Sequence, residues 1–179
     1  MTTDKDLLKL ARQLDPATLA NIYDTFSPGL YRYAMRLTCD QDLAEECVAE
    51  TFSRFLQSLS SRKGPQNYLQ AYLYRIAHNW IVDHYRRKPI EPDQLDEKQA
   101  DNGLSPEEHL GSTIQNYSLR KALFTLSPDQ QKVIALKYLE GLENIEVARI
   151  LEKPVGAVKS LQHRALSNLK KIIDQRELL

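Results

Sequence analysis

The sequence predicts an all-α chain: two small helical domains joined by a flexible acidic linker. Three observations predict it. Apolar residues recur every three to four positions through most segments, and no segment alternates with a period of two. Helix starts are written repeatedly in Ser, Asp and Pro, while glycine is scarce, at 6 of 179 residues. Between them, residues 89–112 lose the periodicity. They carry Pro89, Pro92, an Asn102-Gly103 turn and seven acids against one lysine. The domains therefore fall at residues 1–88 and 113–179, with residues 89–112 between them.

The elements follow in order. Asp15-Pro16 pairs an N-cap with proline at the first helical position, and Leu19, Ile22, Tyr23 and Phe26 repeat behind it. Ser27-Pro28-Gly29 predicts a break, after which Tyr31, Ala34 and Met35 begin a second helix. Asp42 with Glu45 resembles a capping box, and Cys47, Val48, Thr51, Phe52, Phe55, Leu56 and Leu59 form a wide apolar stripe. Residues 60–67, with Gly64-Pro65, read as a turn. The next helix places Leu69, Leu73, Ile76, Ala77 and Trp80 on one face and stops by Pro89. Ser105-Pro106-Glu107-Glu108 is another helix start, and Tyr117, Leu119, Leu123 and Phe124 make a helix beyond it. Ser127-Pro128-Asp129-Gln130 opens one running to Glu140-Gly141. Two more cover residues 144–151 and 155–173.

Composition narrows the function classes. At 42% hydrophobic and 27% charged the chain is of ordinary globular type. No stretch approaches the ~20 apolar residues of a spanning helix, and the first residues lack a signal-peptide core. Cys39 and Cys47, read as eight apart on one helix, would lie ~12 Å apart along its axis, too far for a disulfide. A reduced, cytoplasmic protein is expected. Phosphate loop, dinucleotide loop and nucleophile elbow are absent. No paired carboxylates or nucleophile–histidine pair point to catalysis. His78 and His84 share no metal spacing with the cysteines, so no metal or cofactor is expected.

The formal charge is zero, with 24 bases and 24 acids. Its distribution is uneven. Residues 68–88 carry four bases and one acid, and residues 153–173 carry five bases and no acid, while the linker nets −6. Basic helical stripes are the footprint of phosphate binding. The second stripe lies in NIEVARILEKPVGAVKSLQHRALSNLKK, which has helix-turn-helix proportions. Val147, Ile150, Leu151 and Ala148 face inward, a Glu152-Lys153-Pro154 break follows, and Val158, Leu161, Ala165, Leu169 and Ile172 make the second inner stripe. Lys159, Ser160, Gln162, His163 and Arg164 lie on the exposed N-terminal part of that second helix. In this motif that part enters the major groove, and these side chains can donate to phosphates or base edges.

Two sets of residues carry a family resemblance. Leu126-Ser127-Pro128, the run from Tyr138 to Leu142, Glu146-Val147-Ala148, the run from Gly156 to Ser160, and His163-Arg164-Ala165 closely resemble region four of sigma-70-family initiation factors of the extracytoplasmic-function group. AEECVAETFSRFL and YLYRIAHNWIVDHYRR resemble region two. The motifs come in the family's order and cover nearly the whole chain.

The resemblance implies a dissociable, non-enzymatic subunit that binds core RNA polymerase, recognises two promoter elements and melts DNA. Region four would read the minus-thirty-five duplex through Lys159, Ser160, Gln162, His163 and Arg164. Region two would open the minus-ten element and hold the non-template strand. Asn79 falls where the family contacts a base, and Arg75, Arg86 and Arg87 would hold phosphates. Residues 61–67 would help form the base pocket. Glu46 and Glu50 would meet the polymerase clamp helices. The linker would thread toward the polymerase active centre; a tether held off DNA by its charge fits its composition equally. An anti-sigma factor is a common further partner. An autonomous helix-turn-helix regulator leaves the basic helix with Asn79 unexplained, and a protein-binding helical adaptor leaves the acid-free second helix unexplained.

The chain departs from the family pattern at Ala49 for Gln, Tyr72 for Trp, Glu143 for the common Ser cap, Glu152 for the usual turn Gly, and Leu161-Gln162 in the recognition helix. Trp80 lies on the apolar face and reads as core, and Asp83 reads as a helical-spacing partner of Arg86 or Arg87.

Overall fold

The computed structural model describes residues 4–88 and 119–176. Every regular element among them is helical. The N-terminal half contains α1 (Asp4–Ala11), α2 (Pro16–Thr38), α3 (Gln41–Ser60) and α4 (Leu69–Arg87). The C-terminal half contains α5 (residues 119–124), α6 (Pro128–Ile134) continued by a π-helical turn (Ala135–Leu139), α7 (Asn144–Leu151) and α8 (Val155–Arg176). The linker, the Ser105 helix start and Tyr117 lie outside the described residues.

Several expectations need correction. Helix α1 was not foreseen; Leu8 and Ala11 are its buried face. The Ser27-Pro28-Gly29 break does not occur, because α2 runs through it. Pro28 is solvent-exposed, and the inward face formed by Ile22, Leu30, Tyr33, Ala34 and Leu37 continues across it. Burial of that stripe outweighs the one backbone bond that proline removes. Gly29 lets α4 approach, since a Cβ there would lie 2.8 Å from the Tyr74 hydroxyl oxygen. The cap of α3 is Asp40, not Asp42. Its carboxylate accepts from the Leu43 amide at 3.0 Å, and Asp42 sits in the first turn. Cys39 and Cys47 do not share a helix: Cys39 caps the C-terminus of α2 with φ 51°, and Cys47 is buried in α3. Neither forms a disulfide, and burial pushes both thiols up, Cys47 to about 12.

Other starts form as the sequence reads. The Asp15 carboxylate accepts from the Thr18 amide at 2.8 Å and hydroxyl at 2.6 Å. Ser127 and Gln130 form a reciprocal capping box. In the N-terminal half α2, α3 and α4 bury Phe55, Leu59, Leu69, Leu73, Ile81 and Trp80, so Trp80 belongs to the core. Deep within it the Tyr33 hydroxyl and His78 Nδ1 share a 2.6 Å hydrogen bond, while His78 Nε2 has no partner. Burial, with the nearby Lys132 charge, lowers the His78 pKa to about 3, so the ring is neutral. In the C-terminal half α7 and α8 close over Val133 and Leu136 with Val147, Ile150, Val158 and Ala165. The π turn carries one extra residue per turn and is capped by Glu140, with Gly141 following at φ 70°. It turns Tyr138 outward, half exposed.

The halves pack on each other, α4 against α7 and α2 against the π turn. Arg36 pairs with Glu140 at 3.0 Å, and the Tyr74 hydroxyl donates to the same carboxylate at 3.3 Å. Buried Arg120 of α5 donates to the Thr38 carbonyl and lies over the Tyr85 ring. Phe124 packs edge-on against Tyr85, centroids 4.8 Å apart.

Candidate nucleic-acid interface

Helix α8 starts after a left-handed residue, Glu152, at φ 55°. Its buried stripe of Val158, Ala165 and Leu169 faces α6 and α7. Lys159, Ser160, His163 and Arg164 are consequently exposed on one end of the helix. The Ser160 hydroxyl donates to the Gly156 carbonyl at 3.1 Å, and Arg164 Nε donates to the Ser160 carbonyl at 3.3 Å. The Arg164 guanidinium thus lies along the helix, toward its N-terminus. Gln162 is held differently: its side-chain amide donates to the Tyr138 hydroxyl at 2.7 Å. Its side-chain carbonyl is left as the acceptor. Glu143 opens α7 in the place of the usual serine, its amide donating to the Glu146 carboxylate at 2.7 Å.

On α4 the candidate residues divide. Asn79, Arg86 and Arg87 are exposed, and Arg86 pairs with Asp83 at 3.0 Å, as the helical spacing suggests. Arg75 is not open in this way. It lies in a cleft of about 520 Å³ between α4 and α7, lined also by Asn67, Tyr68, Arg149, Glu152 and Lys153. Arg75 Nη1 meets Glu152 Oε1 at 2.6 Å, and the Arg149 guanidinium sits over the Tyr68 ring at 5.1 Å. The 61–68 loop enters this cleft, tied down by Arg12, which donates to the Pro65 carbonyl at 2.8 Å. Pro154 and Val155, at the start of α8, border the same cleft.

Glu46 and Glu50 stand one turn apart on α3. Glu46 is exposed, and Glu50 accepts from Arg54 at 2.7 Å. No group of three His, Cys, Asp or Glu able to hold a metal ion occurs among the described residues. No described helix is long and apolar enough to cross a membrane.

The arrangement thus offers two basic helical faces, α8 and α4, and an acidic position on α3. Sequence reasoning missed Tyr138 as the partner of Gln162, and Arg36, Tyr74 and Arg120 as inter-half contacts. The separation of 104 positions from Arg36 to Glu140 leaves no local signal. For the Arg75 contact the hint was Glu152, an acid where glycine is usual.

Comparisons with known proteins agree in both halves. Residues 22–89 match the family description "Sigma-70 region 2", and residues 117–169 match "Sigma-70, region 4". The chain is 30% identical over 173 residues to the ECF RNA polymerase sigma factor BldN of Streptomyces coelicolor, covering 94% of this chain and 65% of BldN. It is 30% identical over 161 residues to the RNA polymerase sigma-E factor of Streptomyces avermitilis, covering 86% of this chain and 84% of that protein. The solved structure of CnrH in complex with the cytosolic domain of CnrY has the same fold. Its TM-score is 0.65 at 20% identity, covering 96% of this chain and 97% of that one.

Proposed function

The chain belongs to the extracytoplasmic-function group of the sigma-70 family, and from that premise we propose how its residues divide the work of transcription initiation. It is a sigma factor: it joins core RNA polymerase and directs it to promoter DNA. Residues 113–179 read the minus-thirty-five duplex. Lys159, His163 and Arg164 reach phosphates or base edges in the major groove, Ser160 adds a hydroxyl, and Gln162 offers base-edge chemistry. Residues 1–88 bind polymerase and open the minus-ten element. Asn79 contacts a base of the displaced strand, and Arg75, Arg86 and Arg87 hold its phosphates. Glu46 and Glu50 face the polymerase clamp. The protein acts in the cytoplasm without catalysis of its own, and an anti-sigma factor is a further partner.

One observation supports this division above the rest: two basic helical faces, α4 and α8, each within its own matched sigma region and in the family's order. The match over residues 22–89 accounts for the half that a stand-alone helix-turn-helix regulator leaves idle. The test is run-off transcription on genomic fragments by core polymerase with and without the protein. Promoter-dependent transcripts that need the protein support the reading. Their absence, together with failure to form a complex with core, overturns it.

A further inference from the structure

Glu152 poses a question that the fold does not answer. It ends α7 at φ 55°, the left-handed region that glycine occupies freely and residues with a Cβ avoid. A glutamate there gains nothing from its backbone. Its side chain, however, crosses to the other half of the molecule and meets Arg75 Nη1 at 2.6 Å. A carboxylate on a guanidinium occupies the position that a phosphate oxygen takes when arginine holds a nucleic-acid backbone. The neighbouring contacts point the same way. Arg149 covers the face of Tyr68, and Glu140 is engaged by Arg36 and Tyr74 with only 7% of its side chain exposed.

We propose that Glu152 is an intramolecular stand-in for DNA phosphate: it occupies Arg75 in the free protein and keeps the Arg75 end of α4 and the 61–68 loop closed against α7 until promoter DNA and polymerase draw the halves apart. The closed form is masked at Arg75, while Asn79, Arg86 and Arg87 stay exposed. The device belongs to this chain's departure from glycine at the turn, and it rests on the reading of Arg75 as a phosphate contact. Because the Arg75–Glu152 pair is partly exposed, at 35% and 69% of the side chains, its own share of the masking is modest.

The test measures binding of the free, full-length protein to a fluorescein-labelled single-stranded oligonucleotide pool of random sequence. Glu152→Gln keeps the backbone as it is and removes the charge, and it is expected to tighten binding about two- to fivefold. Glu152→Gly should do the same without lowering the melting temperature, so unfolding does not confound the result. In an Arg75→Ala background the Glu152→Gln gain should vanish, which separates the latch from a general loss of negative charge. If Arg75→Ala weakens binding but Glu152→Gln changes nothing, or if the gain survives in the Arg75→Ala background, the latch is wrong while the DNA role of Arg75 stands. If Arg75→Ala leaves binding unchanged in the Glu152→Gln background, where the guanidinium is released, the phosphate role of Arg75 fails, and the latch falls with it.

Discussion

The Tyr138 hydroxyl accepts a 2.7 Å hydrogen bond from the Gln162 side-chain amide, across 24 residues. This bond joins the π turn after α6 to the exposed end of α8. It fixes which end of the Gln162 amide can face a base. Tyr138→Phe should leave the fold intact, because the ring is half exposed. It should free the amide to rotate and relax discrimination at one base pair of the minus-thirty-five element. The expected loss is about 1 kcal/mol, the net worth of one such hydrogen bond. Competition binding with single-base variants of the duplex measures it. Equal loss at every position would mean that Tyr138 only supports the helix.

Lys159 and Arg164 are exposed on the same end. Replacing either with alanine should weaken duplex binding of the holoenzyme uniformly across sequences. The slope of log affinity against log salt should fall by about 1 for each phosphate that the variant no longer neutralises. An unchanged slope would remove these residues from the DNA backbone.

His78 makes stability depend on pH. Its folded pKa, about 3, lies below the ordinary value of 6.5, chiefly through burial. The unfolded chain therefore takes up the proton first as pH falls. Stability drops from about pH 6.5 downward by roughly 1.4 kcal/mol per unit and levels off near the folded pKa. Urea unfolding of His78→Gln should lack that component, so the difference between variant and parent narrows as pH falls from 6.5. A constant difference from pH 7 to 4 would mean that His78 is not held neutral in the fold.

Glu140 serves both halves, pairing with Arg36 and accepting from Tyr74. Burial, followed by the Glu140 charge, pushes the Tyr74 hydroxyl well above its ordinary value, so it donates throughout the physiological range. Glu140→Ala should cost about 1–3 kcal/mol, because a largely buried acceptor is removed from two donors. Small-angle scattering should show a larger radius of gyration for the variant. An unchanged radius would mean that the packing of α4 on α7 holds the halves without it.

The helices were legible where local chemistry decides them. Ser127-Pro128 with Gln130 writes its own capping box, and the stripe through Phe55 and Leu59 has one consistent period. The sequence misled where tertiary burial outweighs local chemistry. Pro28-Gly29 reads as a break, but the buried face from Ile22 to Leu37 runs straight through it. On the candidate interface the exposed residues of α8 could be placed from the stripe opposite them. Arg75 could not, because its surroundings come from a segment 77 residues away in the chain. Spacing identifies which side chains leave a helix face, and only folding shows what waits across the gap.

The central claim is the division of labour between α8 on the duplex and α4 on the opened strand. Permanganate footprinting of the Asn79→Ala holoenzyme, on a promoter fragment identified by run-off transcription, tests it most directly. Duplex binding at the parent's affinity is expected, with loss of thymine reactivity in the start-site bubble. Normal reactivity, or a loss of duplex binding equal to the loss of opening, would contradict it.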